Sequence, residues 1–187
     1  ITGVSSDLFA NQLHVTCFDW AFSGCKGLTS IPSDLFAHNM EVTNFDYTFY
    51  YSGLSSIPPG LFANHSAVTS FDHTFYLCKG LNSLVPGDFF SGCYGVTSFA
   101  FTSGSCGLTY PIPESLFADC PAVTSFAGVF TDCVALRGPI PEDLFANNPE
   151  VIYFSSAFRG DYNLMCELPA GLFSRNTKAK DFFDCFG

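Results

Sequence analysis

Apolar and polar positions recur along this chain in the same order about every 24 to 28 residues. The repeated template reads Leu-Thr-Ser-Ile-Pro-x-x-Leu-Phe-Ala, then a short polar spacer, then Val-Thr-Ser-Phe-x-x-x-Phe-x-x-Cys. A period of this length is typical of solenoids, in which each repeat forms one coil stacked on the next. The pattern therefore predicts a single solenoid domain with the seven coils 1–27, 28–53, 54–80, 81–107, 108–135, 136–163 and 164–187.

Alignment of the coils places like residues in columns. The aliphatic columns are Ile1, Leu28, Leu54, Leu81, Leu108, Leu136, Leu164 and Val4, Ile31, Ile57, Leu84, Ile112, Ile140, Leu168. The phenylalanine columns are Phe9, Phe36, Phe62, Phe90, Phe117, Phe145, Phe173; Phe18, Phe45, Phe71, Phe99, Phe126, Phe154, Phe182; and, less regularly, Phe22, Phe49, Phe75, Phe101, Phe130, Phe158, Phe186. Stacking would bury each column between neighbouring coils, at about 1.5–3 kcal/mol per Phe or Leu.

Within a coil, the template predicts two short strands and a turn. Four-residue runs rich in Val, Ile and Thr, bounded by turn residues, indicate strands at Leu-Thr-Ser-Ile and at Val-Thr-Ser-Phe. The proline after the first run ends its ladder of hydrogen bonds, because proline has no N–H. The Asp-Leu-Phe-Ala-Asn type of stretch is expected to form a single helical or 3₁₀ turn, with Ser6 or Ser33 as a cap.

Composition and charge narrow the class of protein. Hydrophobic residues make up 48% and charged residues 13% of the chain, which favours a packed core over disorder. The few lysines and arginines are scattered and the net charge is -10, which disfavours binding to nucleic acid or to an anionic membrane surface. No apolar run approaches the ~20 residues that span a membrane. Because the chain starts at Ile1 rather than Met, we expect a processed product or an excised fragment.

The string Phe-x-x-Cys-x-x-Leu-Thr-Ser-Ile-Pro, followed by Leu-Phe and Val-Thr-Ser-Phe, resembles the BspA-like leucine-rich repeats of bacterial surface proteins. The match covers the whole chain and is best at Leu28–Pro32 with Val42–Phe45. The resemblance implies a leucine-rich-repeat-like or β-solenoid fold with short parallel strands. It also implies a secreted or cell-surface protein, often an adhesin, that binds host or partner proteins. Fold resemblance alone does not give function.

Six of the nine cysteines also fall in columns. Two columns are recognisable, namely Cys25, Cys78, Cys106 and Cys133, and then Cys93 with Cys120. Columns of cysteine in a solenoid are typically buried thiols that fill small apolar spaces. A cross-coil disulfide such as Cys93–Cys120 is the alternative in an oxidising compartment. No spacing of Cys and His points to zinc.

No motif in the chain predicts catalysis. It lacks GxGxxG, a Walker loop and HExxH, and no Ser/His/Asp or Cys/His set can be proposed from spacing. The sequence therefore predicts a protein that is not an enzyme and has no cofactor and no metal. The expected partner is a protein or a glycan at a cell surface.

One group of surface positions is a candidate binding site. Its residues follow the Val-Thr-x-Phe strand of the first three coils and are Asp19–Trp20, Asp46–Tyr47 and Asp72–His73, with Tyr50 and Tyr76 in a nearby column. Recognition of proteins and carbohydrates uses exposed aromatic residues beside carboxylates. The alternative interpretation is turn chemistry, since Asp is common in turns. A Ca²⁺ site on the aspartates is a further alternative, although three monodentate ligands fall short of a full shell.

The ends of the repeat array suggest a second kind of association. The first coil keeps its apolar columns at Ile1, Val4 and Val15, whereas the last coil is more polar, with Lys178 and Lys180. Head-to-tail stacking of uncapped ends gives filaments when the contact does not close into a ring. In such a filament the two lysines would meet carboxylates of the next copy. The alternative function is therefore a structural subunit of an extracellular filament, and membership of a longer array is a further possibility.

Overall fold

The computed structural model describes residues 1–109, 111–164 and 167–187. Successive coils stack along one axis, and their Val-Thr-Ser-Phe stretches form a continuous ladder of isolated parallel β-bridges. The bridge ladder links, in order, Cys17, Asn44, Ser70, Ser98, Ser125, Tyr153 and Asp181. The Thr43 N–H donates back to the Thr16 carbonyl at 2.8 Å. The Phe45 N–H donates forward to the Ser70 carbonyl at 3.2 Å, so each coil is bonded to both of its neighbours.

The strand predicted at Leu-Thr-Ser-Ile is much weaker than the bridge ladder. Among the described residues its bridging is confined to one pair, Leu84 with Thr109. Elsewhere single hydrogen bonds join the coils there, such as the Ser55 N–H to the Thr29 carbonyl at 3.0 Å. The described ranges contain neither a helix nor a strand longer than one bridge, and hence no helix long and apolar enough to cross a bilayer.

The predicted helical turn is instead a run of β-turns. In the second coil, N–H groups donate three residues back, from Leu35 to Pro32 at 3.3 Å and from Asn39 to Phe36 at 2.9 Å. An α-helix would bond every N–H four residues back, and a stretch this short cannot nucleate one. The predicted helical or 3₁₀ turn is therefore a set of separate turns closed by bonds between residues three apart, and the described ranges hold no helix for Ser6 or Ser33 to cap.

The first two phenylalanine columns are confirmed. Ring centroids in the Phe36 column lie 6.0–6.4 Å apart, and those in the Phe45 column lie 5.3–5.9 Å apart, with nearly parallel rings. The two columns interlock, because Phe45 packs tilted between Phe36 at 4.9 Å and Phe62 at 4.6 Å. The core is thus a continuous wall of rings along the solenoid axis.

The fourth coil corrects two of the predicted columns. Phe101 does not lie in the third phenylalanine column, since it packs on the outside of the solenoid against His73 at 5.1 Å. That column continues in coil four with buried Ser103 and no ring. Phe89 packs beside Phe75 at 5.6 Å and adds the ring that this layer would otherwise lack.

The second aliphatic column is also shifted in this coil. Leu84 is exposed, and the buried side chain is Val85. The coil has one extra residue before its proline, so Val85 precedes Pro86 as Ile31 precedes Pro32. Residue type had favoured Leu84, whereas the distance to the proline decides which side chain points inward.

A column of polar side chains inside the solenoid was not predicted. Its members follow the first phenylalanine column by three residues and are Asn39, His65, Cys93, Cys120, Asn148 and Asn176. Each points at backbone of the preceding coil; the Asn148 Nδ2 donates to the Phe117 and Cys120 carbonyls at 3.0 and 2.8 Å. We call these residues the carbonyl-binding column. They add a second hydrogen bond to carbonyls that already accept a turn N–H; the Phe117 carbonyl, for example, also accepts the Cys120 N–H at 3.1 Å. The column thus links neighbouring coils, and these bonds explain polar residues at nearly zero exposure.

The described cysteines are free thiols. The Cys93 thiol donates to the Phe62 carbonyl at 3.2 Å, so the alternative Cys93–Cys120 disulfide is not formed. Cys106 and Cys133 lie closer together, with 3.7 Å between their sulfurs. The interpretation of these columns as buried thiols is confirmed for Cys78, Cys93, Cys106, Cys120 and Cys133.

Alkylation should separate the exposed cysteine from the buried ones. Burial raises the pKa of the Cys78 and Cys93 thiols to about 12, so their reactive thiolates are scarce at pH 8. We expect iodoacetamide to modify the exposed Cys17 in the native protein. Cys78 and Cys93 should be modified only after the protein is denatured. Mass spectrometry of the peptides measures this. Labelling of Cys93 at the rate of Cys17 would contradict the buried placement of that column.

Candidate functional site

Four side chains from consecutive coils stack face to face on the surface of the solenoid. They are Trp20, Tyr47, His73 and Phe101, here called the aromatic row. Their ring centroids lie 4.0, 4.5 and 5.1 Å apart in that order, with interplanar angles of 5°, 7° and 20°. The sequence predicted the first three, and the structure brings them together. The sequence analysis missed Phe101, although each member of the aromatic row follows the buried phenylalanine of its strand by two residues.

Every residue of the aromatic row has a left-handed backbone conformation, with φ between 53° and 60°. The conformation arises from the stacking of coils: the Tyr47 N–H donates to the Asp72 carbonyl of the next coil at 2.9 Å, while the Thr48 N–H closes a turn onto Phe45 at 3.2 Å. Bulky residues rarely adopt this conformation, which costs about 1–2 kcal/mol each. In the fifth and sixth coils the same position holds Gly128 and Ser156.

Two tyrosines widen the aromatic surface. Tyr50 and Tyr76 stack on each other at 6.0 Å, and Tyr50 lies 5.6 Å from Trp20 and 5.7 Å from Tyr47. Tyr76 contacts His73 edge-on at 5.4 Å. The predicted aromatic residues therefore form one continuous surface over the first three coils.

The three predicted aspartates connect the coils beneath this surface. The Asp19 carboxylate accepts the Asp46 N–H at 3.1 Å, and the Asp46 carboxylate accepts the Asp72 N–H at 2.8 Å. Asp72 repeats the pattern with the Ala100 N–H at 2.8 Å and the Ser98 hydroxyl at 2.5 Å. One oxygen of each carboxylate is thus used in a hydrogen bond between neighbouring coils. Burial raises the pKa of Asp72.

Electrostatics keep the middle of the aromatic row uncharged at neutral pH. Burial lowers the pKa of His73 below 6.5, and the nearby Asp72 and Asp46 oppose this without reversing it. Burial and Asp46 raise the pKa of Tyr47. Neutral rings stack without repulsion, so the row presents a rigid, preformed surface.

Stacking decides which part of each ring meets solvent. The faces of Tyr47 and His73 are covered by their neighbours, so their edges point outward. The row is open at Trp20, which is 53% exposed, and at its other end Phe101 is half-buried, lies against Gly128 and borders a hollow. The edges of the Tyr47 and Trp20 rings carry phenol and indole polar groups, which suit the hydrogen bonds of protein interfaces, whereas the His73 Nδ1 is buried and has no hydrogen-bond partner among the described residues. Stacking of a sugar on a ring needs an open face.

A hollow of about 360 Å³ continues the surface beyond the aromatic row. It is lined by Tyr76, Phe101, Thr131, Asp132, Ser156, Arg159, Phe183 and Asp184. The Arg159 Nε lies 2.6 Å from the Asp184 Oδ2, so these two charges offset each other.

The residues predicted for self-association lie at the two ends of the described coils. Ile1 is exposed, and Val4 and Val15 pack partly against the core. Lys178 is bonded within the chain, with its Nζ 2.7 Å from a Glu150 oxygen, so its predicted contact with another copy would compete with this pair. Lys180 is exposed.

Asp161 is a buried carboxyl group outside the aromatic surface. Asp161 is only 8% exposed, and neither of its carboxyl oxygens has a hydrogen-bond partner among the described residues. Burial, with a smaller repulsion from Asp132, raises the pKa of Asp161 to about 8. The folded protein therefore keeps a proton that the unfolded chain releases near pH 4.

This proton makes stability depend on pH with a definite sign. As pH rises from about 4 to about 8, the stability contribution of neutral Asp161 is lost, because the unfolded chain ionises first. We expect Asp161→Asn to flatten the profile and to raise the free energy of unfolding at pH 8.5 by at least about 1 kcal/mol. Urea denaturation at pH 4.5 and 8.5 measures it, with the exposed Asp143→Asn as control. Parallel profiles of the two variants would contradict the assignment.

A comparison with solved structures identifies the fold. The chain is similar to the leucine-rich-repeat protein Toll in the structure of the Toll–Spatzle complex from Drosophila, with a TM-score of 0.57 and 21% identity. The match covers 98% of this chain and 25% of the other, so this chain spans a quarter of the length of Toll in that structure. The likeness shows a leucine-rich-repeat-like solenoid. No protein-family model and no curated protein matches the chain, and the resemblance to BspA-like repeats stays a prediction.

Proposed function

We propose that this chain is a non-enzymatic recognition module of a secreted or cell-surface protein, and that it binds a protein partner through the aromatic row. One observation carries the proposal. The first four coils keep large rings in a left-handed conformation at the surface, where coils five and six have glycine and serine. Strain of this kind clusters at functional sites.

A protein partner fits the surface better than a glycan. The row closes the faces of Tyr47 and His73 and presents ring edges, which form hydrogen bonds and apolar contacts at protein interfaces. Tyr and Trp are also enriched among the residues that dominate binding energy there. Toll, whose fold this chain shares, is in a complex with Spatzle, which supports a protein ligand. The non-enzymatic part of the proposal rests on the absence of catalytic motifs from the sequence.

A random peptide library displayed on phage, selected on the immobilised chain, tests the proposal. We expect the enriched peptides to bind the double variant Trp20→Ala, Tyr47→Ala at least tenfold more weakly, since hot-spot aromatics contribute about 2 kcal/mol or more. Circular dichroism and urea denaturation should show an intact fold, because both side chains lie outside the core. Surface plasmon resonance measures the affinities.

The control is Tyr94→Ala, which removes an exposed aromatic side chain that is not in the aromatic row. It should leave the affinities unchanged. Peptides that bind the wild-type chain and the double variant equally would remove the row from consideration.

Head-to-tail assembly is the second proposed function. The ring columns reach the last described coil, where Phe182 and Phe186 are exposed, and Ile1 and Leu13 are exposed in the first. Such faces would continue the columns from one copy to the next. The proposal applies to a native chain whose terminal coils are free. Sedimentation velocity decides it, since a monomer at every concentration dismisses a filament.

A further inference from the structure

The aromatic row ends at Phe101, and the equivalent positions of the next two coils carry no ring. In coil five the Phe101 ring leans over Gly128, where a Cβ atom would collide with the ring. In coil six the same position is Ser156, whose small side chain leaves the hollow of about 360 Å³ open. The outer face of Phe101 therefore borders this hollow. A flat group entering from outside would continue the stack above Ser156.

The charges around the hollow favour a cation. Arg159 is paired with Asp184 at 2.6 Å, which leaves Asp132 as the unbalanced charge of the lining. Within the described ranges the Asp132 carboxylate has neither an ion pair nor a hydrogen-bond donor. The whole chain has a net charge of -10, which attracts a cationic partner at long range.

We propose that the hollow binds an arginine side chain of the protein partner; this inference rests on the proposed function and names the chemistry of its ligand. A guanidinium group is planar, stacks on an aromatic face and donates in a fork to a carboxylate. It would stack on Phe101 and donate to Asp132. A lysine has no plane to stack, and an aromatic side chain has no charge to offset that of Asp132. A cation already lies over a ring elsewhere in the chain, with the Lys26 Nζ 4.4 Å from the Tyr51 centroid.

The test is a titration of the ¹⁵N-labelled chain with the peptide Ac-Gly-Arg-Gly-NH₂ at low ionic strength, followed by NMR. We expect shifts of the Phe101, Asp132 and Ser156 amides. The matched peptide with citrulline, which has the same shape without the charge, should bind about fivefold more weakly. Asp132→Asn should weaken binding of the arginine peptide by a similar factor, whereas Asp143→Asn, on another face, should leave its binding unchanged.

Asp132→Asn is expected to fold, because Asp132 has a φ of 55° and asparagine tolerates this conformation. Phe101→Leu, which keeps an apolar side chain but no ring, provides a second variant and should also weaken the arginine peptide. Urea denaturation checks both folds. Loss of binding in both variants, with retained stability, supports the proposal.

Three results would overturn the inference. Arginine and citrulline peptides that bind equally would remove the role of charge. Stronger shifts of the same amides by Ac-Gly-Trp-Gly-NH₂ would make the occupant aromatic. Arginine-dependent shifts at Trp20 and Tyr47 instead of the hollow would refute this pocket and leave the proposed function standing. Failure of the proposed function itself would show separately, as library binding that survives loss of Trp20 and Tyr47.

Discussion

Replacing Phe71 by alanine is expected to lower the free energy of unfolding by about 3–5 kcal/mol. Phe71 is 0% exposed and stacks on Phe45 and Phe99 at 5.6 Å each. It also packs tilted against Phe62 at 4.7 Å and Phe90 at 4.9 Å. The variant loses contacts to both neighbouring coils, and the stability of a solenoid comes from such contacts. Urea denaturation followed by circular dichroism measures the loss.

Phe182→Ala is the matched control, because Phe182 belongs to the same column in the last coil. It is 43% exposed and stacks within the column on Phe154 alone among the described residues. We expect it to cost less than about 2 kcal/mol. If Phe71→Ala does not fold, Phe71→Leu should cost about 1–2 kcal/mol. Equal losses from the central and terminal variants would show that stacking between coils is not the main source of stability.

The phenylalanine columns were predictable because stacking converts a period in the sequence into a position in space. Equal offsets along the chain place Phe36 and Phe62 one above the other, whatever the details of the turns. The same reasoning failed in coil four, where the alignment followed residue type rather than offset. Phe101 follows the buried Phe99 by two residues, whereas members of the third column follow by four. Counting residues from the strand would have placed Phe101 in the aromatic row.

The turn conformations were beyond the sequence because neighbouring coils impose them. Tryptophan or tyrosine at a position argues against a positive φ, yet Trp20 and Tyr47 have φ of 60° and 56°. Hydrogen bonds from their N–H groups to the next coil fix the backbone, which overrides local preference. The carbonyl-binding column was hidden for a related reason. Its members, such as Asn39, His65 and Cys93, share a position and a function but not a residue type.

The sequence predicted most residues of the candidate site but not their arrangement. Exposed aromatic residues next to aspartates were apparent, but the rings' orientation was not. The structure shows that Asp46 bonds the next coil and that Tyr47 presents its edge. These two facts change the interpretation from an open binding ladder to a rigid, mostly closed stack. At the end of this stack, Phe101 borders a hollow that a partner side chain can enter.

Asn148→Asp is expected to destabilise the fold by about 3 kcal/mol or more at neutral pH. Asn148 is fully buried, and its Nδ2 donates to the Phe117 and Cys120 carbonyls at 3.0 and 2.8 Å. A carboxylate of the same shape has no N–H and would direct an oxygen at these two carbonyl oxygens. At acidic pH the protonated carboxyl can donate one bond, so the loss should be smaller. Urea denaturation at pH 7 and pH 4.5 measures both effects.

The control is Asn147→Asp. It makes the same chemical change at the adjacent residue, which is exposed. We expect Asn147→Asp to alter stability by less than about 0.5 kcal/mol at either pH. The contrast isolates the buried hydrogen bonds from the added charge, which both variants carry. If Asn148→Asp were as mild as its neighbour, the column would not bind the coils together. The polar interior would then contribute little, and the stacked phenylalanines alone would have to account for the order of the coils.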